Sequence, residues 1–210
     1  MTISEALLAR WRRVPTAVVA DITGGACQLD PDIRPLRPAG QQPALFGRAL
    51  TAECPPADIG AVIGALELAK RGDVLVIAAG GHRHTATIGE ILGGYLRARG
   101  AAGIICDGAV RDVGALGTWD DFSVFSRFVT PRGPTSFAQG AVNGVVSFGG
   151  RKISPGDLVI GDDDGLVRLT PEDATTWVEA AEEALKRERQ WQEALATGKA
   201  IREALGLPSG

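Results

Sequence analysis

The sequence predicts an α/β fold built on parallel strands, and three observations carry that reading. Val74 to Ala79 and Gly103 to Cys106 are short apolar runs rich in β-branched residues, closed by Gly80-Gly81 and by Asp107-Gly108. Runs of that length and composition read as buried strands. Between them Ile88, Ile91, Leu92, Tyr95 and Leu96 recur at helical spacing, with Thr87 as the expected N-cap and Gly100 just past the last turn. The resulting strand, helix and strand span the length that a parallel crossover needs.

Taken in order, Ser4 to Trp11 is expected to form a short helix and Thr16 to Thr23 a second, which stops at Gly24-Gly25. Leu29 to Gly40 mixes proline with charge and reads as an extended surface loop. Phe46 to Cys54 turns apolar again and predicts a strand. Ile59, Val62, Ile63, Leu66 and Ala69 then mark a helix closed by Arg71-Gly72, and Asp58 near its start is accounted for by the helix dipole. Beyond the central unit, Trp119 to Val129 and Gly140 to Leu169 alternate strand-like runs with turn residues, so this half is expected to be strand-rich. Thr170-Pro171-Glu172-Asp173 combines a capping threonine, proline at the first helical position and early acids. It announces a final helix over about residues 171–197, whose charged surface suits a solvated or intersubunit position.

Composition bounds the rest. A chain of 210 residues, 45% hydrophobic and 22% charged, fits one domain over residues 1–210. A formal net charge of −3 gives no basic footprint for nucleic acid, and no run approaches transmembrane length. The expected partner is a small molecule, with neither nucleic acid nor membrane. No secretory signal pattern stands at the N-terminus and three scattered cysteines suggest no disulfide framework, so the expected location is the cytoplasm.

The chemistry sits at the two ends of the central unit. Arg111 and Asp112 follow the second strand, Glu90 falls in the first turn of the helix, and twenty residues separate Glu90 from Arg111. Both ends can meet at the C-terminal edge of a parallel sheet, where helix N-termini and strand-end loops converge on ligands. Other signals are weaker. His82-x-His84 has metal-like spacing without a further ligand cluster, so these histidines are expected to line the mouth of the site or cap the turn. Asp162-Asp163-Asp164 lacks the spacing of a calcium loop and reads as a tight turn. Cys106, in an apolar strand, reads as an inert buried thiol.

Gly89-Glu90 leading to Leu92, the twenty-residue interval and Asp107-Gly108-x-x-Arg111-Asp112 together resemble the RraA-like family. That family contains metal-dependent class II pyruvate aldolases acting on 4-hydroxy-4-methyl-2-oxoglutarate and 4-carboxy-4-hydroxy-2-oxoadipate, and also the regulator of ribonuclease E activity. Val124-Phe125-Ser126-Arg127 with Thr130-Pro131, Pro155-Gly156-Asp157-Leu158-Val159 and Gly161 to Gly165 extend the resemblance over most of residues 15 to 200. It implies the swivelling β/β/α sandwich, assembled as homotrimers or hexamers with sites between subunits.

The resemblance implies a divalent-metal-dependent lyase. Its reaction would be retro-aldol cleavage of a 4-hydroxy-2-oxo di- or tricarboxylic acid to pyruvate and a second oxo acid, with oxaloacetate decarboxylation as a further activity through the same enolate. A hard cation, Mg²⁺ or Mn²⁺, takes oxygen ligands and keeps waters, so one direct carboxylate suffices. Asp112 is the expected direct ligand and Glu90 the expected acceptor from a metal-bound water. Arg111 offers a planar fork for a substrate carboxylate or developing negative charge. The amides from Gly89 through Ile91 to Leu92 would hold the pyruvate carboxylate. Many family aldolases carry a third acid three residues after the aspartate, where this chain has Ala115. Glu188, from a neighbouring subunit, lies about where the family has another acid; the plain alternative is a solvated glutamate. Two other readings stay open: a non-catalytic regulator that binds an RNA-processing enzyme, and a lyase whose acceptor has diverged, for which Gly80-Gly81-His82-Arg83-His84 is the hint.

Overall fold

The computed structural model describes residues 2–208. The chain opens with α1 (Glu5–Trp11), capped by the Ser4 hydroxyl, and α2 (Thr16–Ile22). The stretch expected to be a surface loop behaves otherwise. Leu29 and Ile33 are buried, and β1 (Arg34–Pro35) pairs antiparallel with residues 125–126. An ion pair between Asp30 and Arg127 at 2.7 Å ties the segment to the sheet, a long-range contact that local composition does not encode.

Next come β2 (Leu45–Glu53), α3 (Gly60–Leu68) and β3 (Asp73–Ala78), in the expected order. After Gly80 and Gly81, both at positive φ, the chain forms β4 (Ala86–Ile88) before α4 (Glu90–Ala98). Thr87 and Ile88 therefore belong to a strand, and the helix N-cap is Gly89. Gly100 lies at φ 79° just past the helix, as expected of a terminating glycine.

β5 (Gly103–Val110) runs straight through Asp107-Gly108 instead of ending there. The pairing register shifts between Cys106 and Ala109, so the Asp-Gly pair sits at a β-bulge. A Cβ at Gly108 would collide with Ala79, and the Asp107 carboxylate accepts from the Ala79 amide at 2.5 Å. Glycine is needed there for close approach, not for a turn.

The chain continues through α5 (Val113–Leu116), β6 (Ser123–Val129), β7 (Ala141–Val142), the β8 (Val146–Phe148) and β9 (Arg151–Ile153) hairpin, β10 (Leu158–Asp162) and β11 (Gly165–Leu169). Asp162 to Asp164 form the expected tight turn, and Asp162 also accepts from the Thr16 amide and hydroxyl. α6 (Pro171–Ala196) begins with the expected capping box, in which Thr170 and Asp173 exchange hydrogen bonds, and α7 (Ile201–Ala204) follows.

The main sheet has the order β1-β6-β5-β3-β2-β10-β11. β2, β3, β5 and β6 are mutually parallel, with antiparallel strands at both ends. α3 and α4 pack on one face over Leu75, Ile77, Ile104 and Val124, while α1, α2 and α6 cover the β10-β11 end around Trp11, Val19 and Val178. Full burial of such aliphatic side chains stabilises by about 1.5–3 kcal/mol each. No helix among the described residues is long and apolar enough to cross a membrane.

Candidate functional site

The bulge in β5 decides where the site forms. The first half of β5 pairs with β3, and beyond the bulge β4 takes the place beside it, with Ala86 opposite Ala109 and Ile88 opposite Val110. The ladder is extended by the Arg111 amide, which donates to the Ile88 carbonyl at 3.0 Å. Gly89 and Glu90 are thereby held alongside Arg111 and Asp112. The two sequence-distant halves of the motif meet, and they do so through backbone pairing.

Asp112 has φ 56° and ψ 37°, a left-handed conformation that a non-glycine residue adopts at some cost. Its Oδ2 accepts from the Glu90 amide at 3.1 Å and lies 3.5 Å from Arg111 Nε. Both contacts fall on Oδ2, which leaves Oδ1 without a protein partner among the described residues. Two glycines make this packing feasible. A Cβ on Gly89 would overlap Asp112 Oδ2 and Arg111 Cγ, and one on Gly133 would run into Arg111 Nη1.

Glu90 is exposed at the first position of α4. The amides of Ile91 and Leu92 belong to the first helical turn, so no helical carbonyl lies behind them. Gly89, Ile91, Leu92 and Arg111 all line one cavity of about 330 Å³. Its other walls come from Ile59 and Ile63 at α3 and from Pro134 and Phe137 in the loop after β6. These four were not foreseen, since they lie far from the motif in sequence and carry no polar signature.

Asp58 explains how that loop reaches the cavity. It is buried, and its carboxylate accepts from Gly60 at 2.8 Å and from Gln139 at 3.1 Å. A hydrogen bond with Ser136, supported by those amides, holds its pKa down at about 2. The helix dipole alone was an incomplete account of this residue, which also fastens the segment carrying Phe137.

The histidines stand apart. His82 lines a larger cavity of about 800 Å³ at the sheet edge, together with Glu53, Asp107 and Arg127, and its Nε2 lies 2.9 Å from the Thr85 hydroxyl. His84 is exposed, its ring 5.7 Å from that of His82. Burial raises the pKa of Asp107 at the floor of this cavity and pushes the Cys106 thiol up to about 12. Cys106 is the inert buried thiol expected.

Glu188 is not brought to the site within one chain. It lies on α6, which packs against α1, α2 and β11, at the opposite end of the sheet from Asp112. Ala115 leaves the position three residues after Asp112 without an acid, and no group of three or more potential metal ligands occurs among the described residues. Asp112, with one carboxylate oxygen free of protein partners among the described residues, still fits a hard cation that keeps most of its waters.

A model described as Aldolase/RraA, for RraA-like proteins, matches residues 4–168. A Halalkalibacterium halodurans protein provisionally named 4-hydroxy-4-methyl-2-oxoglutarate aldolase is 35% identical over 159 residues, covering 76% of this chain and 74% of the relative. An uncharacterised protein from Pseudomonas syringae pv. tomato has the same fold, with a TM-score of 0.84 at 24% identity over 97% of this chain and 98% of the other. Streptomyces coelicolor RraAS2, described as an unusual member of the RNase ES inhibitor RraA protein family, aligns with a TM-score of 0.75 at 27% identity, over 93% and 98%. The swivelling β/β/α architecture expected from the sequence is the one these neighbours share.

Proposed function

The chain belongs to the RraA-like family, and from that premise we propose that it is a divalent-metal-dependent lyase that cleaves a 4-hydroxy-2-oxo acid to pyruvate and a second oxo compound. The observation that carries this reading is the meeting of the Glu90 amide, Arg111 and Asp112 beside a cavity walled by Ile91 and Leu92 of the first turn of α4.

In the proposed reaction the amides of Ile91 and Leu92 bind the pyruvate carboxylate at the positive end of α4. Arg111 orients the 2-oxo group and balances negative charge that develops on its oxygen as the C3–C4 bond breaks. Asp112 would hold Mg²⁺ or Mn²⁺ through Oδ1, with Glu90 accepting from a bound water. When bound, the cation would supply Lewis-acid stabilisation of the enolate. The C4 hydroxyl gives up its proton, C4 becomes a carbonyl, and the electron pair passes to the enolate, which is protonated at C3 to give pyruvate. Glu90 would take and return that proton through water.

Oxaloacetate decarboxylation forms the same enolate and is expected as a side activity. In a homotrimer or hexamer, α6 of one copy would bring Glu188 towards the site of the next. The half of α6 beyond Ala184 has no buried residue, which supports such a use.

The test is pyruvate release, coupled to a dehydrogenase, from oxaloacetate and from 4-hydroxy-2-oxo acids, with Mg²⁺ or Mn²⁺ and with chelator. Chelator-sensitive release lost in Arg111→Ala and Asp112→Asn is expected. Full turnover by Asp112→Asn would remove Asp112 from its role. The second reading, a non-catalytic regulator of an RNA-processing enzyme, draws on the exposed Ile91 and Phe137, 79% and 63% accessible, as a protein-binding rim. Its mark would be retained binding of such an enzyme with no pyruvate formed under any metal.

A further inference from the structure

We infer that residues 132–139 form a wall that aims the Arg111 guanidinium, with Gly133 and Asp58 as its positioning residues; what Arg111 then does to the substrate rests on the lyase reading above. Backbone approaches the Arg111 side chain at two points. A Cβ on Gly133 would stand 2.5 Å from Nη1, and one on Gly89 would stand 3.2 Å from Nε. Nε is also 3.5 Å from Asp112, whereas Nη1, at the tip of the fork, faces the Gly133 backbone. An arginine side chain has many rotamers to lose, so its tip keeps one place only where something stands beside it. These contacts lie within one chain and persist whether or not a neighbouring copy adds to the site.

The wall is short and tied at both ends. On one side the Thr130 amide donates to the Val110 carbonyl at 3.0 Å, and the Ala86 amide to the Arg132 carbonyl at 2.8 Å. On the other, the Ala57 carbonyl accepts from the Thr135 and Ser136 amides at 2.9 and 3.1 Å, and the Ser136 carbonyl accepts from the Ile59 amide at 3.1 Å. Ala57 does so at φ 62°, in the left-handed region that a non-glycine residue occupies at a cost. Only Gly133 and Pro134 lie between the two anchorages, and proline fixes its own φ. Both line the 330 Å³ cavity together with Arg111.

Asp58 closes the far anchorage. It is 4% exposed, and its carboxylate accepts from the Gly60, Gln139 and Ala138 amides at 2.8, 3.1 and 3.4 Å. Such charge-assisted bonds are stronger than neutral ones, and their loss leaves amides without an acceptor. Asparagine keeps the volume of the side chain but offers one acceptor oxygen in place of two. The strain at Ala57 then favours release of the loop, and the support beside Nη1 is lost.

In the proposed reaction the α4 amides hold the pyruvate carboxylate, while Arg111 balances charge that appears as the enolate forms. Misplacing the guanidinium therefore lowers kcat and leaves KM nearly as it was. Gly133→Ala separates aim from fold. Gly133 lies outside the left-handed region, and the added methyl meets the far end of a flexible side chain, so the fold tolerates it. Nη1 must retreat by about 1 Å to reach ordinary contact distance.

The experiment follows exchange of the pyruvate methyl protons with deuterated water by proton NMR, using the full assembled chain with Mg²⁺. Wild type is compared with Gly133→Ala, Asp58→Asn and Thr170→Ala, a cap substitution at the far end of the sheet, and crystal structures of wild type and Gly133→Ala locate Nη1. For Gly133→Ala and Asp58→Asn, kcat should fall at least about tenfold with KM held within about twofold. Thr170→Ala should keep the wild-type kcat. In Gly133→Ala the denaturant midpoint should be unchanged and Nη1 displaced by about 1 Å. A wild-type kcat in Gly133→Ala, or Nη1 in its wild-type place, would overturn the inference, and a wild-type kcat in Asp58→Asn would remove Asp58 from it. If wild type shows no exchange, the lyase reading falls, and the place of Nη1 in Gly133→Ala alone decides whether the wall exists.

Discussion

The Glu90 amide and the Asp112 carboxylate are joined by a hydrogen bond of 3.1 Å, across 22 positions of sequence. The first residue of α4 is thus fastened to the residue that precedes α5. The carboxylate oxygen occupies the helix N-terminus, where the dipole and an orphan amide both favour it. This bond leaves the other Asp112 oxygen without a protein partner among the described residues, and it depends on the missing Cβ of Gly89.

Gly89→Ala should therefore damage the site more than the fold. Gly89 has φ −151°, extended backbone that alanine adopts without strain, but the added methyl would displace Asp112 and Arg111. Turnover is expected to fall by about 10²-fold, the scale of a misplacement near 1 Å, with an unchanged far-ultraviolet spectrum. Turnover equal to wild type would show that the Glu90–Asp112 bond does not matter.

Acid should release the loop that carries Phe137. The Asp58 carboxyl titrates at about 2 in the folded chain, below its ordinary value of 3.8, because Ser136 and the Gly60, Gln139 and Ala138 amides stabilise the charged form. Stabilisation from this group is then complete above about pH 4 and lost as pH falls through about 2. The carboxyl carbon shift of Asp58 should report the low value, and Asp58→Asn should loosen residues 136–139 at neutral pH in hydrogen exchange. An ordinary titration near pH 4 would remove the predicted anchor.

Cys54 and Cys106 should resist alkylation in the native protein. Both are buried, and desolvation pushes each thiol up to about 12, so almost no thiolate exists at pH 7.4. Iodoacetamide followed by mass spectrometry should leave both unmodified until denaturant is added. Rapid labelling of Cys106 without denaturant would contradict the burial described above.

Thr170→Ala should cost about 1 kcal/mol of stability, the usual worth of an N-cap, read as a lower denaturant midpoint at unchanged slope. The Asp173 amide, which donates to the Thr170 hydroxyl at 3.0 Å, would lose its acceptor at the start of a helix that packs against α1 and α2. Methyl exchange of pyruvate should be unaffected, since the helix begins at the far end of the sheet. No change in midpoint would mean that solvent replaces the cap.

By itself the sequence determined what nearest neighbours decide. Helical period, capping box, glycine terminators and the order of elements are local properties, and so the Thr170 cap, Gly100 and the strand-helix-strand frame were legible. The meeting of Glu90 with Arg111 and Asp112 was legible too, because a parallel crossover returns both loops to one sheet edge. Tertiary structure alone decided the rest. Asp107-Gly108 looks like a turn, yet it is a bulge within β5, since β4 supplies a further partner beyond it and Gly108 must let Ala79 approach. Leu29 to Gly40 looks like a solvated loop, yet Ile33 is buried and Asp30 pairs with Arg127, 97 positions away. The cavity walls follow the same rule: Phe137 reaches them because Asp58 binds a loop about 80 residues downstream. Local pattern sets what each segment can become, whereas strand register, loop docking and the company of a charged side chain come from long-range packing, which leaves no periodic mark in the chain.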